Sequence, residues 1–181
     1  MKLLQGLPGW FPAGPSYFGR GGAAAEGVSM HLSAEGLALI KQFEGFRGQA
    51  YADVAGIATI GYGHRILPAQ SFPDGISEAE AAALLASDVR EAERAVDSLI
   101  KVALTQGQFD ALVDFCFNLG AGRLVRSTLL RALNAGHYQA AAAQFLLWDR
   151  VGGEVSPALK ARREAEMRLW KSAPRAGLTA A

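Results

Sequence analysis

Cysteine is nearly absent from this chain of 181 residues, since Cys116 is its single example. One cysteine excludes an internal disulfide, and its place in the apolar stretch ALVDFCFNLG favours a small core side chain over a nucleophile. Long hydrophobic runs are also missing, because no segment reaches the roughly 18 consecutive apolar residues that a membrane span requires. Half of the residues are hydrophobic, so the chain is long and apolar enough to form one globular domain with a real core.

The motifs that mark most cofactor sites are missing as well. The three histidines are isolated, and none lies in an H-E-x-x-H or C-x-x-C pattern, which argues against a metal site. No G-x-x-x-x-G-K-S/T phosphate loop occurs, and Gly61 and Gly63 are followed by Ile66 where a dinucleotide fingerprint needs a third glycine. No G-x-S-x-G nucleophile elbow is present. We therefore expect neither a metal nor a cofactor.

Charge is distributed unevenly along the chain. Residues 1–119 carry 8 Lys and Arg against 13 Asp and Glu, whereas residues 120–181 carry 10 against 4. The C-terminal part is therefore basic, which is typical of proteins that bind a polyanion such as nucleic acid, an anionic membrane or a cell wall. The simpler interpretation, a solvated helix face, stays open at this point.

The first thirty residues, MKLLQGLPGWFPAGPSYFGRGGAAAEGVSM, lack the features of a secretory signal. Glycines and prolines between positions 6 and 14 interrupt the apolar region that a signal peptide needs. We interpret residues 1–30 as a flexible leader, whose aromatic residues suit contact with a partner or a membrane surface. We expect one domain over residues 31–172 and a short tail over residues 173–181.

A capped helix and a short hairpin are expected at the start of this domain. Ser33 precedes AEGLALIKQF, in which apolar residues recur at helical spacing, so a helix is predicted from about residue 34 to residue 44, ending at Gly45. The next stretch, AYADVAGIATIGYGHRI, is β-branched and interrupted by glycine. This pattern predicts a small antiparallel hairpin or meander that turns near Gly56.

The remaining segments are predicted to be helical. A capping serine or threonine precedes four of them: Ser77, Thr105, Ser127 and Ser156. The first of these helices reaches about Leu99. The second, with the sequence QFDALVDFCFNLG, ends at Gly120 and Gly122. The later helical segments are TLLRALNAG, QAAAAQFLLW and ALKARREAEMRLWKS. The sequence thus predicts an α+β fold with one small β-element and a predominantly helical body.

Two carboxylates, Glu44 and Asp53, stand at the end of the first helix and in the hairpin. Such a pair is the minimum apparatus for glycoside hydrolysis, in which one group donates a proton and the other guides water or stabilises positive charge. The negative end of the helix disfavours another anion at Glu44, whereas the polar hairpin is expected to leave Asp53 ionised. Thr59 on the returning strand offers a hydroxyl that can hold a water. From spacing alone, surface charges at a helix end and a turn are an equally good interpretation.

A family resemblance decides between these interpretations. Residues 44 to 64, EGFRGQAYADVAGIATIGYGH, match the pattern E-G-x-R-x-x-x-Y-x-D-x-x-G-x-x-T-I-G-Y-G-H without a gap, and in this they resemble the phage-type lysozymes, or endolysins, of glycoside hydrolase family 24. Downstream, ISEAEAAALLASDVREAERAV, QFDALVDFCFNLG and the R-R-x-x-E pattern in LKARREAEMRLW are similar to the family's long connecting helix, central buried helix and closing motif. The resemblance covers about residues 31–172. It implies an α+β lysozyme fold, with a small antiparallel sheet in one lobe, a long inter-lobe helix, and a saccharide cleft.

The resemblance also implies an activity. It is that of a muramidase, which hydrolyses the β-1,4 bond between N-acetylmuramic acid and N-acetylglucosamine in the glycan strands of peptidoglycan. Glu44 matches the family's general acid, Asp53 its catalytic aspartate, and Thr59 the threonine that positions the attacking water. Inversion at the anomeric carbon, a monomeric enzyme and the absence of any cofactor or metal follow from the same resemblance. The basic C-terminal part then fits an anionic cell wall and not nucleic acid.

Four further residues match substrate contacts of the family: Phe117, Asn118, Ser127 and Gln144. Phe117 corresponds to an aromatic cleft residue, and Asn118 offers amide donors and acceptors to sugars. A core aromatic and a helix N-cap are equally good interpretations of Phe117 and Ser127.

Two sets of charged residues are expected to support the site. His64 closes the motif, and we interpret it as a brace that forms an ion pair instead of taking part in the chemistry. One of the basic side chains Lys160, Arg162 and Arg163 is expected to place its charge against Glu44, unless all three belong to a solvated face.

Two rival functions remain. A lytic transglycosylase uses a glutamate without an aspartate and water, so Asp53 and Thr59 argue against it. A non-catalytic peptidoglycan-binding part of a phage tail or secretion system is disfavoured because all three catalytic positions are filled. The family also implies synthesis in the host cytoplasm and access to the cell wall after a separate pore-forming protein, a holin, opens the membrane.

Overall fold

The computed structural model describes residues 29–53 and 55–172. Seven α-helices occur in this part of the chain: α1 Ala34–Glu44, α2 Glu78–Leu99, α3 Gln106–Leu119, α4 Ala121–Arg126, α5 Thr128–Asn134, α6 Tyr138–Gln144 and α7 Pro157–Lys171. A 3₁₀ turn, Phe145–Leu147, follows α6, and the short strands are β1 Arg47–Ala52, β2 Ala58–Gly61, β3 His64–Arg65, β4 Arg150–Val151 and β5 Glu154–Val155. The predicted tail and all but the end of the predicted leader lie outside the described residues, so the domain boundaries stay predictions.

Local hydrogen bonds begin and end the helices at the expected residues. The Ser33 side chain accepts a hydrogen bond from the Gly36 N–H, and Gly45, with a φ of 71°, ends α1. The predicted capping residues Ser77 and Thr105 each form a capping box with the residue three positions later, one at the start of α2 and one at the start of α3. The Ser156 side chain caps α7, and Pro157 stands in the first turn of that helix. The helix starts predicted at these positions are therefore confirmed.

The predicted hairpin is part of a three-stranded antiparallel sheet in the order β1-β2-β3. Tyr51 lies opposite Thr59, and Thr59 lies opposite Arg65. The chain reverses between β1 and β2 near Gly56, whose φ of 78° is accessible to glycine at little cost. The hairpin and the position of its turn are confirmed.

Two groups of buried apolar side chains meet along α2. The first group lies between α1, the sheet and the N-terminal half of α2: Ile40, Tyr62, Ala81, Leu85 and Val89. The second group surrounds α3 and includes Ala92 and Val96 from the C-terminal half of α2. The 22-residue helix α2 thus links a sheet-bearing lobe to a helical lobe, as predicted. Among the described residues, no helix combines the length and the apolarity needed to cross a membrane.

Three short elements, one helix and two strands, were not predicted from the sequence. Helix α4 begins directly after Gly120, whose φ of 87° redirects the chain at the end of α3, and its Leu124 is fully buried. Strands β4 and β5 pair on either side of Gly152 and Gly153. Both glycines have positive φ, and residues with positive φ favour the tight turn of a hairpin. The helix predicted over QAAAAQFLLW ends at Gln144 and continues only as a 3₁₀ turn. Elements this short contain too few residues for a periodic pattern to show.

Candidate active site

Glu44 is the last residue of α1, and two residues separate it from the start of β1. Its side chain is 11% exposed, and its Oε1 accepts a hydrogen bond of 2.7 Å from Nη1 of Arg162. The contact is a charge-assisted hydrogen bond between two side chains that are nearly or fully buried. Of the three basic residues predicted as candidates for this contact, the structure places Arg162 there. Glu44 therefore lies where the sheet-bearing lobe begins and is held by a helix of the other lobe.

Arg162 is itself held by a second carboxylate, that of Asp114 on α3. Its Nε donates to Oδ2 at 2.9 Å and its Nη2 donates to Oδ1 at 2.8 Å, which makes a bidentate pair. Burial would raise the pKa of Asp114, but the charge and hydrogen bonds of Arg162 outweigh it, and that pKa is lowered. Burial would likewise lower the pKa of Arg162, but the charges of Asp114 and Glu44 raise it. Both members of the pair are therefore ionised at neutral pH.

A second buried pair, formed by an arginine and a glutamate, lies beside the first. Nη2 of Arg163 lies 2.7 Å from Oε1 of Glu166, one turn along α7, and both side chains are fully buried. The Arg163 guanidinium also lies over the Phe115 ring, 5.1 Å from its centroid. Burial raises the pKa of Glu166 well above its ordinary value, although the Arg163 charge opposes this. Sequence reasoning did not assign roles to Asp114 and Glu166. The signals that indicated them were a lone acid inside the apolar run ALVDFCF and the R-R-x-x-E spacing.

Asp53 lies just after β1, at the tip of the hairpin. Its Oδ1 accepts hydrogen bonds from the backbone N–H groups of Ala55 and Ile57, both at 2.8 Å. Its own N–H donates to the Ile57 carbonyl at 2.9 Å. Local bonds of this kind are typical of aspartate in turns, and here they hold one carboxylate oxygen in place. The other oxygen, Oδ2, takes no part in these bonds.

Thr59 lies on β2, the strand that returns from the turn containing Asp53, and is directly opposite Tyr51. Thr59 is 1% exposed, and its Oγ1 donates to the Ile57 carbonyl at 2.9 Å. The proton of the hydroxyl is therefore used, whereas its lone pairs are left to accept a hydrogen bond.

Phe117 and Asn118 occupy the last turn of α3. Phe117 is partly buried and packs against both apolar groups, so it lies at the boundary between the lobes. The Oδ1 of Asn118 accepts a hydrogen bond of 2.9 Å from Nη2 of Arg163. Arginine has no acceptor, so this contact fixes the orientation of the amide and turns its NH₂ group away from Arg163.

The two other predicted contact residues stand at the start of α5 and at the end of α6. Ser127 is 2% exposed; its Oγ donates to the Leu124 carbonyl at 2.7 Å and accepts from the Leu130 N–H at 3.0 Å. Ser127 is thus the N-cap of α5, the alternative interpretation of this residue. Gln144 is the last residue of α6 and is partly buried. Within residues 29–53 and 55–172, no hydrogen bond joins either residue to Glu44 or Asp53.

His64 contacts a carboxylate, as the sequence predicts. Its Nδ1 lies 2.9 Å from Oδ2 of Asp88 on α2, and its Nε2 lies 3.0 Å from Oε1 of Gln70. The same Gln70 oxygen accepts from the Leu67 N–H at 2.8 Å, so Nε2 is the donor in its own contact. Burial raises the pKa of Asp88, and the hydrogen bond from His64 opposes this. The interpretation of His64 as a brace between the sheet and α2 is confirmed.

Comparison with known proteins places this arrangement in a family. The phage lysozyme family matches residues 41–166, a range that contains Glu44, Asp53, Thr59 and both arginines. The chain belongs to the phage lysozyme family. It therefore carries a lysozyme domain of the endolysin type, a glycoside hydrolase that degrades peptidoglycan, and the predicted lysozyme fold is confirmed by the helices and small sheet described above.

Individual relatives of this phage lysozyme agree with the assignment. The endolysin of Bacillus phage B103 is 49% identical over 146 residues, which are 78% of this chain and 54% of that protein. The endolysin of Salmonella phage P22 is 41% identical over 137 residues, which are 74% of this chain and 94% of that protein. The solved muramidase domain of SpmX from Asticaccaulis excentricus has 37% identity and a TM-score of 0.72, over 79% of this chain and 99% of that domain. The chain thus spans about half the length of the first relative and nearly all of the other two.

Proposed function

We propose that this lysozyme domain is an inverting muramidase that cleaves the β-1,4 bond between N-acetylmuramic acid and N-acetylglucosamine in peptidoglycan glycan strands. The observation that carries the proposal is the contrast between its two carboxyl groups. Glu44 is nearly buried at the boundary of the lobes and is held by Arg162, whereas Asp53 is fixed by backbone N–H groups at the tip of the hairpin. Two carboxyl groups in different environments are what an acid and a base for glycoside hydrolysis require.

Glu44 acts as the general acid. Its Oε1 is occupied by the hydrogen bond from Arg162, so Oε2 is the oxygen that carries the proton. In the reaction this proton passes to the glycosidic oxygen while the bond from that oxygen to the anomeric carbon breaks, and the leaving sugar departs with a free hydroxyl.

Asp53 and Thr59 act on the attacking water. Oδ2 of Asp53 accepts a proton from a water whose oxygen bonds to the anomeric carbon on the face opposite the leaving group. The Thr59 hydroxyl oxygen accepts a hydrogen bond from the other O–H of that water, because the hydroxyl proton of Thr59 is itself donated to the Ile57 carbonyl. One proton leaves Glu44 and one arrives at Asp53, and exchange with solvent restores both groups.

The glycan strand is held by residues of the helical lobe. The Asn118 amide presents its NH₂ donors, since its oxygen is taken by Arg163, and such donors suit hydroxyl or acetamido oxygens of the sugars. Phe117, at the boundary of the lobes, supplies an apolar face for a sugar ring. Ser127 and Gln144 complete the proposed set of substrate contacts. The Ser127 hydroxyl contributes only by exchanging its bond to Leu124, and it is therefore the weakest contact.

Clearing of purified peptidoglycan tests the catalytic assignment. We expect Glu44→Gln and Asp53→Asn to fold like the wild type and to lose at least about a hundredfold in rate, which is the usual contribution of general acid–base catalysis. The matched controls are Glu164→Gln on α7 and Asp74→Asn in a surface turn, which remove exposed carboxylates. Near-normal clearing by either site variant, with controls unchanged, would remove that residue from the mechanism. A reducing-end product distinguishes a hydrolase from a lytic transglycosylase, which leaves an anhydro ring.

Phage endolysins act on the cell wall, and we propose the same site of action here. The protein is made in the host cytoplasm, is monomeric, and reaches the wall after a holin-type pore opens. Lysis of cells that express it with and without a pore-forming protein tests the route, and sedimentation tests the monomer. Lysis without the pore would contradict the route. Comparison with a version that starts at Met30 tests whether residues 1–30 contact a membrane.

A further inference from the structure

We propose that Asp114 is a positioning residue for the reaction, which acts on Glu44 through Arg162. The inference rests on the proposed role of Glu44 as the general acid. Asp114 is fully buried on α3, so it does not touch the glycan. Asp114 binds the guanidinium of Arg162, which in turn binds Glu44.

The geometry makes Arg162 a rigid connection between the two carboxyl groups. Its Nε and Nη2 are used by Asp114, at 2.9 and 2.8 Å, and its Nη1 is used by Glu44, at 2.7 Å. A guanidinium is planar, and its donors are in a fixed relation to one another. The bidentate contact with Asp114 therefore fixes where Nη1 lies, and with it the position of Oε1 of Glu44.

Glu166 keeps Asp114 available as the anion that faces Arg162. Glu166 is fully buried, and Nη2 of Arg163 lies 2.7 Å from its Oε1. Neither Glu166 oxygen accepts a well-aligned hydrogen bond from a donor in the described part of the chain, so an ionised Glu166 would be costly in this fully buried position. Burial raises the pKa of Glu166 well above its ordinary value, whereas at Asp114 the charge and hydrogen bonds of Arg162 outweigh burial and lower the pKa, so Asp114 is the anion that faces Arg162.

The other charged groups around Glu44 do not replace Asp114. On α7, Arg163 faces Glu166 and Asn118. On α1 itself, Lys41 lies over the Tyr62 ring. On the hairpin, Asp53 is bound by its own turn. If the charge of Asp114 is removed, Glu44 becomes the one carboxylate hydrogen-bonded to Arg162 among the described residues, and the guanidinium charge acts on Glu44 alone.

The same helix offers a matched control in Asp110. It lies one turn before Asp114, is 1% exposed, and accepts hydrogen bonds from the Ser33 N–H at 3.0 Å and from Gln106 at 2.8 Å. Ser33 stands at the start of α1 and Gln106 at the start of α3, whereas Glu44 stands at the end of α1. Asp110→Asn therefore disturbs a buried aspartate of α3 without touching Arg162.

The experiment measures kcat and KM against pH on soluble peptidoglycan fragments for the wild type and three variants. For Asp114→Asn we expect the alkaline limb of the plot of kcat against pH to shift to lower pH by about one unit. At pH values above the limb, kcat is then expected to fall about tenfold. KM is expected to stay unchanged, because Asp114 does not touch substrate. For Asp110→Asn the limb is expected to stay in place. Glu166→Gln, which resembles a protonated glutamate, is also expected to keep the wild-type limb.

The outcomes separate this inference from the function on which it rests. If Glu44→Gln still clears peptidoglycan, the proposed acid is wrong. If Glu44→Gln is inactive but Asp114→Asn keeps the wild-type limb, or shifts no further than Asp110→Asn, the role of Asp114 is wrong and that of Glu44 stands. If circular dichroism shows that Asp114→Asn does not fold, isotope-edited NMR of the wild-type aspartate carboxyls decides instead. Asp114 is expected to stay ionised throughout the active pH range, and its titration within that range would overturn the inference.

Discussion

Replacing Arg162 by methionine tests the energetic weight of the buried charges. The side chain makes three charge-assisted hydrogen bonds, of 2.7, 2.8 and 2.9 Å, to carboxylates that are 11% and 0% exposed. Methionine retains most of the volume but leaves Glu44 and Asp114 buried without their counter-charge. Removing one partner of a buried ion pair typically costs about 3–5 kcal/mol, and we expect a loss of free energy of unfolding in that range at neutral pH.

The loss should depend on pH in a defined direction. The pKa of Asp114 is lowered in the folded wild type, so its ion pair stabilises the fold above the ordinary titration range of aspartate and ceases to do so only as the pH falls through the lowered value. In Arg162→Met, burial acts on Asp114 without the opposing charge and favours its neutral form. As the pH falls, Asp114 is therefore protonated in the variant before it is protonated in the wild type. The difference in free energy of unfolding between the variant and the wild type then decreases.

Urea denaturation followed by circular dichroism, at neutral and at mildly acidic pH, measures both effects. The matched control is Arg150→Met, because Arg150 is 61% exposed and lies 4.0 Å from its carboxylate partner Asp149; surface pairs of this kind contribute about 0–1 kcal/mol. A loss at Arg162 no larger than at Arg150, or a difference that does not change with pH, would refute the reasoning about the buried network.

Two further predictions concern packing and reactivity. A Cβ at Gly107 would lie 2.2 Å from the Leu169 carbonyl oxygen and 2.3 Å from the Ser172 hydroxyl, so we expect Gly107→Ala to cost about 1–3 kcal/mol of unfolding free energy. Gly122→Ala is the helical control, since nothing lies closer than 3.8 Å to its Cβ, and it should be neutral or stabilising; equal losses in thermal melts would contradict the steric argument. Burial raises the pKa of Cys116 to about 12. We therefore expect native Cys116 to be inert to a disulfide reagent at about pH 8 and to react once urea unfolds the protein, and rapid native labelling would be inconsistent with its burial.

Interactions within a few residues of the chain were predictable from the sequence. The capping bonds of Ser33, Ser77 and Thr105 each join residues three positions apart. Gly45 and Gly56 have positive φ, a conformation that glycine adopts at little cost because it lacks a Cβ. The positions of Glu44, Asp53 and Thr59 followed from a gap-free motif, whose spacing corresponds to a helix end, a hairpin tip and the strand that returns from it. For these features no long-range packing had to be known.

The network behind the acid was decided by tertiary structure. The contact between Arg162 and Glu44 joins residues 118 positions apart, and that between Arg162 and Asp114 joins residues 48 apart. Which of three basic side chains faces Glu44 depends on how α7 packs against α1 and α3, because a rotation of α7 by one residue would present a different face. The sequence by itself therefore determined which groups are proposed to react and the local turns that carry them. Packing alone decided which arginine holds the acid and which buried carboxylate holds that arginine.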